Sequence, residues 1–452
     1  MSFQLFAHQK EALEKSENKE GFLYAHEMGL GKSCTTLTDA IRNNIQFLFV
    51  VAPVGVAQAW VVDHAPKYAS GYFKTSVYIQ SGKLYNSDGT RRQDPLEAPL
   101  LLSVNFESIR GPRFDSFLHL AKNCGGEGMI VVDESHRIKS PKAIVTKSIL
   151  KLAPYFQFRR ALTGTPIGNG HQDLYSQLKF VADKEFPYRF FSHFTHEFCS
   201  FGGFKDKQII GDKSAEKLRA LMDPYTHIAK KEDCLDLPPK IYNRLYLDLP
   251  KDVAKLYKQA KDKILDLPSG KDMTMAITAM HTMRGITSGF LEETPLYDNP
   301  NDNPKINTTK TLLEDHRRDK AIIFVSYINE GKMLSEALKI PFYCGTISQS
   351  DRNTLLDDFK NNKQQHLIAT IQTLGTGHDL HMVNVEIFYS NDYSYLLRTQ
   401  AEDRCHRIGQ IQSVMVYDLI MQKTIDSKIL KVLENKGDVA QEILKKGIAE
   451  FL

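Results

Sequence analysis

Ten short apolar runs, five on either side of a stretch that lacks them, constrain this chain more than any other feature. The first five are Phe22–Ala25, Phe47–Ala52, Leu100–Val104, Met129–Asp133 and Arg160–Thr163. The second five are Ala321–Ser326, Phe342–Cys344, His366–Thr370, Glu386–Ser390 and Val414–Ile420. Each ends in a polar or glycine-containing loop, and several lead into helical patterns. Continuous apolar runs of this length suit strands buried on both faces of a parallel sheet. Their alternation with helices predicts an α/β fold of two doubly wound parallel-sheet lobes.

Between the blocks the pattern changes. An aromatic cluster (Phe186, Tyr188, Phe190, Phe191, Phe194, Phe198, Phe201 and Phe204) precedes a lysine-rich helical stretch. The turn-rich Thr294–Lys305 then reads as a solvated linker. The expected division is a first lobe over 1–182, a mostly helical insertion and linker over 183–304, and a second lobe over 305–452. The aromatic cluster suits the core of the insertion better than a base-stacking platform.

At 452 residues the chain is too long for one core. A formal net charge of +4 makes any nucleic-acid surface a local stripe and not a global excess. The six cysteines are scattered without a CxxC pair, which points to a reducing compartment and away from zinc modules or disulfide frameworks. No secretory signal and no membrane-length apolar run is visible, so no membrane role is expected. A cytoplasmic location is expected, or a nuclear one in a eukaryotic or viral setting.

HEMGLGKS (His26–Ser33) follows the first apolar run and precedes a helical pattern. Backbone N–H groups at a helix N-terminus can face phosphates in that setting. Lys32 would reach the β- and γ-phosphates, and the Ser33 hydroxyl would bind Mg²⁺. His26 takes the position where the strict pattern has glycine. Met129–Glu134 (MIVVDE) delivers two carboxylates to a strand end. With a phosphate loop upstream, Asp133 would hold magnesium and Glu134 would orient or deprotonate the attacking water. In isolation the same pair could be a solvated strand end.

QAEDRCHRIGQ (Gln400–Gln410) places Arg404 and Arg407 three apart, so both face one way on a helix, with Gln400 a further turn back. By spacing alone this is as readily a solvated, ion-paired face. Opposite a phosphate loop, arginines from a second lobe could stabilise the charge of a transferring phosphoryl group.

HEMGLGKS, VVDESH, ALTGTPIGN and QAEDRCHRIGQ together resemble the motifs of helicase superfamily two, and within it the Swi/Snf family of DNA-dependent ATPases. LFAHQKEAL, KEDCLDLPPK and AIIFVSY extend the resemblance over most of the chain. The text FCSFGGFKDK is similar to the compact HepA-related and annealing-helicase branch, as found in bacteria or phages. The resemblance implies two RecA-like lobes and hydrolysis of ATP with Mg²⁺. It assigns Lys32, Asp133, Glu134, Gln400, Arg404 and Arg407 to catalysis, with Ser33 and Asp133 on the metal. It places Gln9, His26, Glu27, Met28, Gly29, Leu30, Gly31, Lys32, Ser33, Gly375 and Asp379 around the nucleotide. It also implies sequence-independent contact with the backbone of double-stranded DNA through Pro53, Val54, Asn105, Thr163, Gly164, Ser326 and Thr370.

The chain departs from the family at His26, Ser135, Gly168, His378–His381 and Tyr393. None of these removes a phosphate, magnesium or arginine contact. The implied activity is translocation on duplex DNA by a monomer. A strand-separating DNA or RNA helicase and a nucleotide-gated binding protein with little turnover are the alternatives.

Overall fold

The structure is a computed structural model that describes residues 4–168, 170–202, 208–265, 273–292, 294–374 and 379–435, the side chains of 263–265, 273–277, 279 and 349 excepted. The chain separates into two compact units, Met1–Asp236 and Leu237–Leu452.

The first unit contains β1 (Gly21–His26), β2 (Phe47–Ala52), β3 (Thr75–Gln80), β4 (Lys83–Asn86), β5 (Leu100–Asn105), β6 (Gly128–Asp133) and β7 (Phe158–Leu162). A short hairpin, β8 (Cys199–Gly202) and β9 (Gln208–Asp212), and then β10 (Thr226–Ala229) complete it. The main sheet runs β10-β1-β7-β6-β2-β5-β3-β4, parallel throughout except for β3 against β4.

Alternate residues of each strand enter opposite cores. Phe22, Tyr24, Leu48, Val50 and Val131 pack on one face; Leu23, Ala25, Phe49, Val51 and Val132 pack on the other. Burial on both sides is why these strands read as unbroken apolar runs. Phe186, Phe194 and Phe198 belong to the second of these cores, while Phe190 is exposed. Phe204 lies outside the described residues.

Register fixes the functional edge. Tyr24 of β1 pairs with Leu162 of β7, and Leu162 pairs with Asp133 of β6. The carboxyl ends of β1 and β6 therefore open side by side, two strand spacings or about 10 Å apart. The helix that follows the phosphate loop, Lys32–Arg42, is fixed to this sheet from below. Fully buried Arg160 of β7 pairs with Asp39 at 2.5 Å, and the Tyr24 hydroxyl donates to the same carboxylate at 2.9 Å. Removing one partner of a buried pair costs about 3–5 kcal/mol, so the C-terminal half of this helix is held against the sheet.

The second unit contains β11 (Lys240–Leu247), the two-residue pair β12 (Phe290–Leu291) and β13 (Thr294–Pro295), then β14 (Ala321–Val325), β15 (Phe342–Tyr343), β16 (His366–Thr370), β17 (Val385–Phe388) and β18 (Val414–Met421). Its sheet runs β11-β18-β17-β14-β16-β15, all parallel.

Strands β3, β4, β10 and β11 lie outside the ten apolar runs; β4, β10 and β11 are sheet edges, and β3 is one strand in, between β5 and the four-residue β4. A marginal strand needs no unbroken apolar run. In β11 (KIYNRLYL) Ile241, Tyr242 and Tyr246 face solvent. Two of these strands also divide the 183–304 segment. Its start contributes β10 to the first sheet, and its middle contributes β11 to the second, paired with β18 from Lys240↔Val414 to Leu247↔Met421. Helices still predominate in that segment. Among the described residues no helix is long and apolar enough to cross a membrane.

Candidate functional site

The loop after β1 turns through Gly29 and Gly31, both in the left-handed region (φ 86° and 74°), before helix Lys32–Arg42 begins. A side chain at Gly31 would be strained there and would also collide with the Gln9 amide, 2.3 Å from the ideal Cβ. Lys32 Nζ lies at the centre of the loop, donating to the carbonyls of His26 (2.8 Å) and Glu27 (3.4 Å). Those carbonyls hold the ammonium where a phosphate oxygen can replace them.

His26 works differently from the expectation. Its ring is fully buried and lies 2.9 Å from His227 Nδ1 of β10. Burial, and then the neighbouring His227, Lys32 and His8, push its pKa down to about 2. The ring is therefore neutral and faces the sheet margin, and His26 contributes its carbonyl to the loop. The Glu27 carboxylate accepts the Lys231 N–H at 2.8 Å and so pins the loop to the segment after β10. Gln9, nearly buried, donates to the Leu30 carbonyl at 3.3 Å and accepts from the Phe6 N–H at 3.0 Å.

At the end of β6, Asp133 is buried. Burial and then the charge of Glu134 raise its pKa to about 6. Two adjacent carboxylates under that strain suit a divalent cation, and Ser33 opens the helix across the same sheet edge. Asp133 and Ser33 are the residues that would hold the expected magnesium ion. One Asp133 oxygen accepts the indole N–H of Trp60 at 2.8 Å, and the other accepts the Glu134 N–H at 2.9 Å. Trp60 is the only tryptophan in the chain, fully buried where helix Val54–Ala59 passes into a π-helical turn. Sequence reasoning did not assign it to the site. The available signal was that a buried indole needs an acceptor. Trp60→Phe removes that donor and leaves a buried carboxylate short of one hydrogen bond, worth about 1–3 kcal/mol. Steady-state kinetics should show ATP turnover falling about tenfold or more; unchanged kinetics would mean Asp133 is oriented without the indole.

Glu134 and His136 lie 3.3 Å apart, and His136 Nδ1 is 3.2 Å from the Thr163 hydroxyl. Ser135 donates to Gln177 at 2.8 Å, and Gln177 donates to the Pro166 carbonyl at 2.8 Å. The acidic turn is thus tied twice to the loop after β7. Two residues expected on DNA take part in this packing. Thr163 is fully buried, its hydroxyl engaged by His136 and by the Thr165 N–H. Gly164 packs on the phosphate loop, where a Cβ would stand 3.3 Å from the His26 carbonyl. Both residues pack at this sheet edge, because the loop after β7 lies between the ends of β1 and β6. Asn105 caps the next helix through its side-chain oxygen, which accepts from the Ser108 N–H and hydroxyl at 2.8 Å each. Pro53 starts helix Val54–Ala59, and Val54 is exposed.

In the second unit, helix Tyr395–Cys405 carries Gln400 and Arg404, both largely buried. The helix ends at Cys405, where the Leu380 N–H caps the Arg404 carbonyl at 3.1 Å and His406 leaves the helical conformation. Arg407 therefore lies beyond the helix, and the shared helical face expected for the two arginines does not exist. Arg407 instead meets Asp379 at 3.4 Å, and the same carboxylate oxygen is 3.0 Å from His381 Nδ1. Burial raises the Asp379 pKa, but Arg407 and His381 outweigh it and hold it below the usual range. Asp379 thus orients an arginine. Gly375, Gly377 and His378 lie outside the described residues.

A cleft of about 640 Å³ in this unit has a mixed lining: hydroxyl groups of Thr278, Thr282, Ser326, Tyr327, Thr346, Thr370 and Thr373 and amides of Asn329 and Gln372, with apolar Phe290 and Ile328 and the acidic Glu292. It brings together Ser326 and Thr370, both expected on DNA. The Thr370 hydroxyl donates to Thr373 at 2.7 Å, and the Ser326 hydroxyl is buried from solvent and has no partner among the described residues. Hydroxyls and amides of this kind suit phosphate oxygens and carry no base preference.

Two largely parallel sheets, one with a phosphate loop and an Asp–Glu pair at the ends of strands separated by a single strand, define a protein of two RecA-like lobes. The SNF2-related domain family matches residues 8–292, and the helicase conserved C-terminal domain matches residues 304–409. The chain belongs to the SNF2-related, or Swi/Snf, family. It is 27% identical to the uncharacterized ATP-dependent helicase MG018 of Mycoplasma genitalium, over 96% of this chain and 41% of that protein. It is 25% identical to the putative ATP-dependent helicase/translocase YwqA of Bacillus subtilis, over 95% of this chain and 47% of that protein. Human DNA annealing helicase and endonuclease ZRANB3 is also 25% identical, over 93% of this chain and 38% of its own length. The chain spans less than half the length of these relatives.

Proposed function

We propose that the chain is an ATP-dependent translocase on double-stranded DNA, a monomer whose ATP hydrolysis is stimulated by the duplex. The observation that carries this reading is the register that opens the Lys32 loop and the Asp133–Glu134 pair side by side on one sheet edge. Lys32 and the loop N–H groups hold the β- and γ-phosphates. Ser33 and Asp133 would hold Mg²⁺, which would supply neutralisation of phosphate charge. Glu134 orients the attacking water and takes its proton. Arg404 and Arg407 complete the site when the second lobe closes, so hydrolysis is conditional on closure. The hydroxyl-lined cleft follows the DNA backbone, which suits a motor indifferent to sequence. The names of the relatives, helicase and helicase/translocase, agree with this reading.

The test is phosphate release with duplex DNA, single-stranded DNA, RNA or no polymer. Duplex should stimulate most strongly, and duplex affinity should fall as a power of salt concentration, about 10³-fold or more between 50 and 200 mM for a footprint of six or more phosphates. Stimulation by RNA alone, or a flat salt response, would overturn the assignment. Displacement of a labelled strand would instead favour a strand-separating helicase. Duplex binding without stimulated hydrolysis would favour a nucleotide-gated binding protein.

A further inference from the structure

Arg284 is 3% exposed, on helix Met273–Ser288. Its guanidinium lies between two aromatic rings, 4.7 Å from the centroid of Tyr327 and 4.3 Å from that of Tyr393. It also donates to the backbone carbonyl of Asn391. A planar cation between two ring faces is held in position and in tilt, and the attraction is strongest where water is excluded.

The two rings belong to different parts of the second unit. Tyr327 lines the hydroxyl-rich cleft, and its hydroxyl is 2.7 Å from His281 Nδ1, another lining group. The backbone there is firmly placed. The N–H groups of Ser326 and Tyr327 donate to the fully buried Glu330 carboxylate at 2.9 and 3.1 Å, and the Ser390 hydroxyl donates to it at 2.6 Å. The Ser288 hydroxyl, from the helix of Arg284, donates to the other oxygen of that carboxylate at 2.5 Å.

Tyr393 and Asn391 lie in the connection from β17 to helix Tyr395–Cys405, which carries Gln400 and Arg404. The Asn391 amide donates to Asp418 at 3.0 Å. Buried Arg398, on that helix, donates to the Asn391 side-chain oxygen, to Asp418 at 2.6 Å and to Glu402 at 2.7 Å. A series of polar contacts, part-buried at Asn391, thus runs from the cleft wall to the helix of the arginines. Arg284 is the member that touches both ends.

We propose that Arg284 is a positioning residue that links occupancy of the hydroxyl-lined cleft to the placement of the Gln400–Arg404 helix, through the Tyr327 and Tyr393 rings. The proposal rests on the cleft's taking duplex backbone. A duplex phosphate fixing the Ser326–Tyr327 turn fixes one ring, the guanidinium passes that constraint to the other ring and to the Asn391 carbonyl, and the helix start follows. Simple core packing would need none of the polar continuity beyond Asn391.

The test measures ATP turnover with and without duplex, duplex affinity without nucleotide, and melting temperature, for the intact chain. Arg284→Ala should keep basal turnover and duplex affinity near those of the unmodified protein. Its stimulation by duplex should fall by a factor within the roughly 5–150-fold range of coupling between sites. Tyr393→Ala, at a half-buried position, should lose stimulation similarly, and Tyr393→Phe should keep it. The double variant should be no worse than the weaker single one, because both break one connection. Full stimulation in Arg284→Ala and Tyr393→Ala overturns the proposal. So does a parallel fall of basal turnover, stimulation and melting temperature in both, which is the mark of packing alone. Absence of duplex stimulation in the unmodified protein overturns the translocase reading itself and this proposal with it; stimulation that survives in the variants overturns this proposal only.

Discussion

Glu134→Gln is expected to lower duplex-stimulated ATP turnover by about 10²–10⁴-fold, the usual contribution of a general base, while ATP still binds. The substitution keeps size and polarity and removes only the ability to take a proton. The geometry favours this residue over its neighbour. Asp133 is buried, with both oxygens already accepting hydrogen bonds from Trp60 and from the Glu134 N–H. Glu134 has a left-handed backbone (φ 54°, ψ 53°), a conformation that side-chain-bearing residues adopt at a cost. That turn carries its side chain off the strand line, to 3.3 Å from His136. Single-turnover hydrolysis and equilibrium binding of a fluorescent ATP analogue separate the two effects. An equal loss in binding and in turnover would show that Glu134 holds the nucleotide and does not activate water.

Arg404→Ala and Arg407→Ala are each expected to cost about 10³–10⁵-fold in turnover with a much smaller change in ATP affinity, as for arginines that meet the transferring phosphoryl group. The structure refines this for Arg407. It sits past the helix end, against Asp379. Asp379→Ala should therefore reproduce part of the Arg407→Ala loss and add little to it in the double variant, since both disturb one contact. If either arginine variant weakens ATP binding as much as it slows turnover, that arginine acts on the ground state.

Particular elements show where the sequence was legible. The strands β1, β2, β5, β6 and β7, and β14, β16, β17 and β18, fall on the apolar runs because each is covered on both faces. The strands β3, β4, β10 and β11 do not, because a strand at or next to a sheet edge alternates or is short. The phosphate loop was legible from local chemistry, two glycines before a Lys–Ser helix start. The expected roles of Thr163 and Gly164 depended on which way a loop turns, and it turns toward the phosphate loop.

Local order in the sequence therefore determined the two α/β lobes, the phosphate loop and the acidic strand end, since apolar periodicity and loop chemistry act over a few neighbouring residues. Tertiary structure alone decided that β7 lies between β1 and β6, that Trp60 meets Asp133 across 73 positions, and that Arg284 lies between Tyr327 and Tyr393. It also decided that the helix stops short of Arg407. These contacts join residues distant in the chain, and their energies come from burial and register that no local pattern encodes.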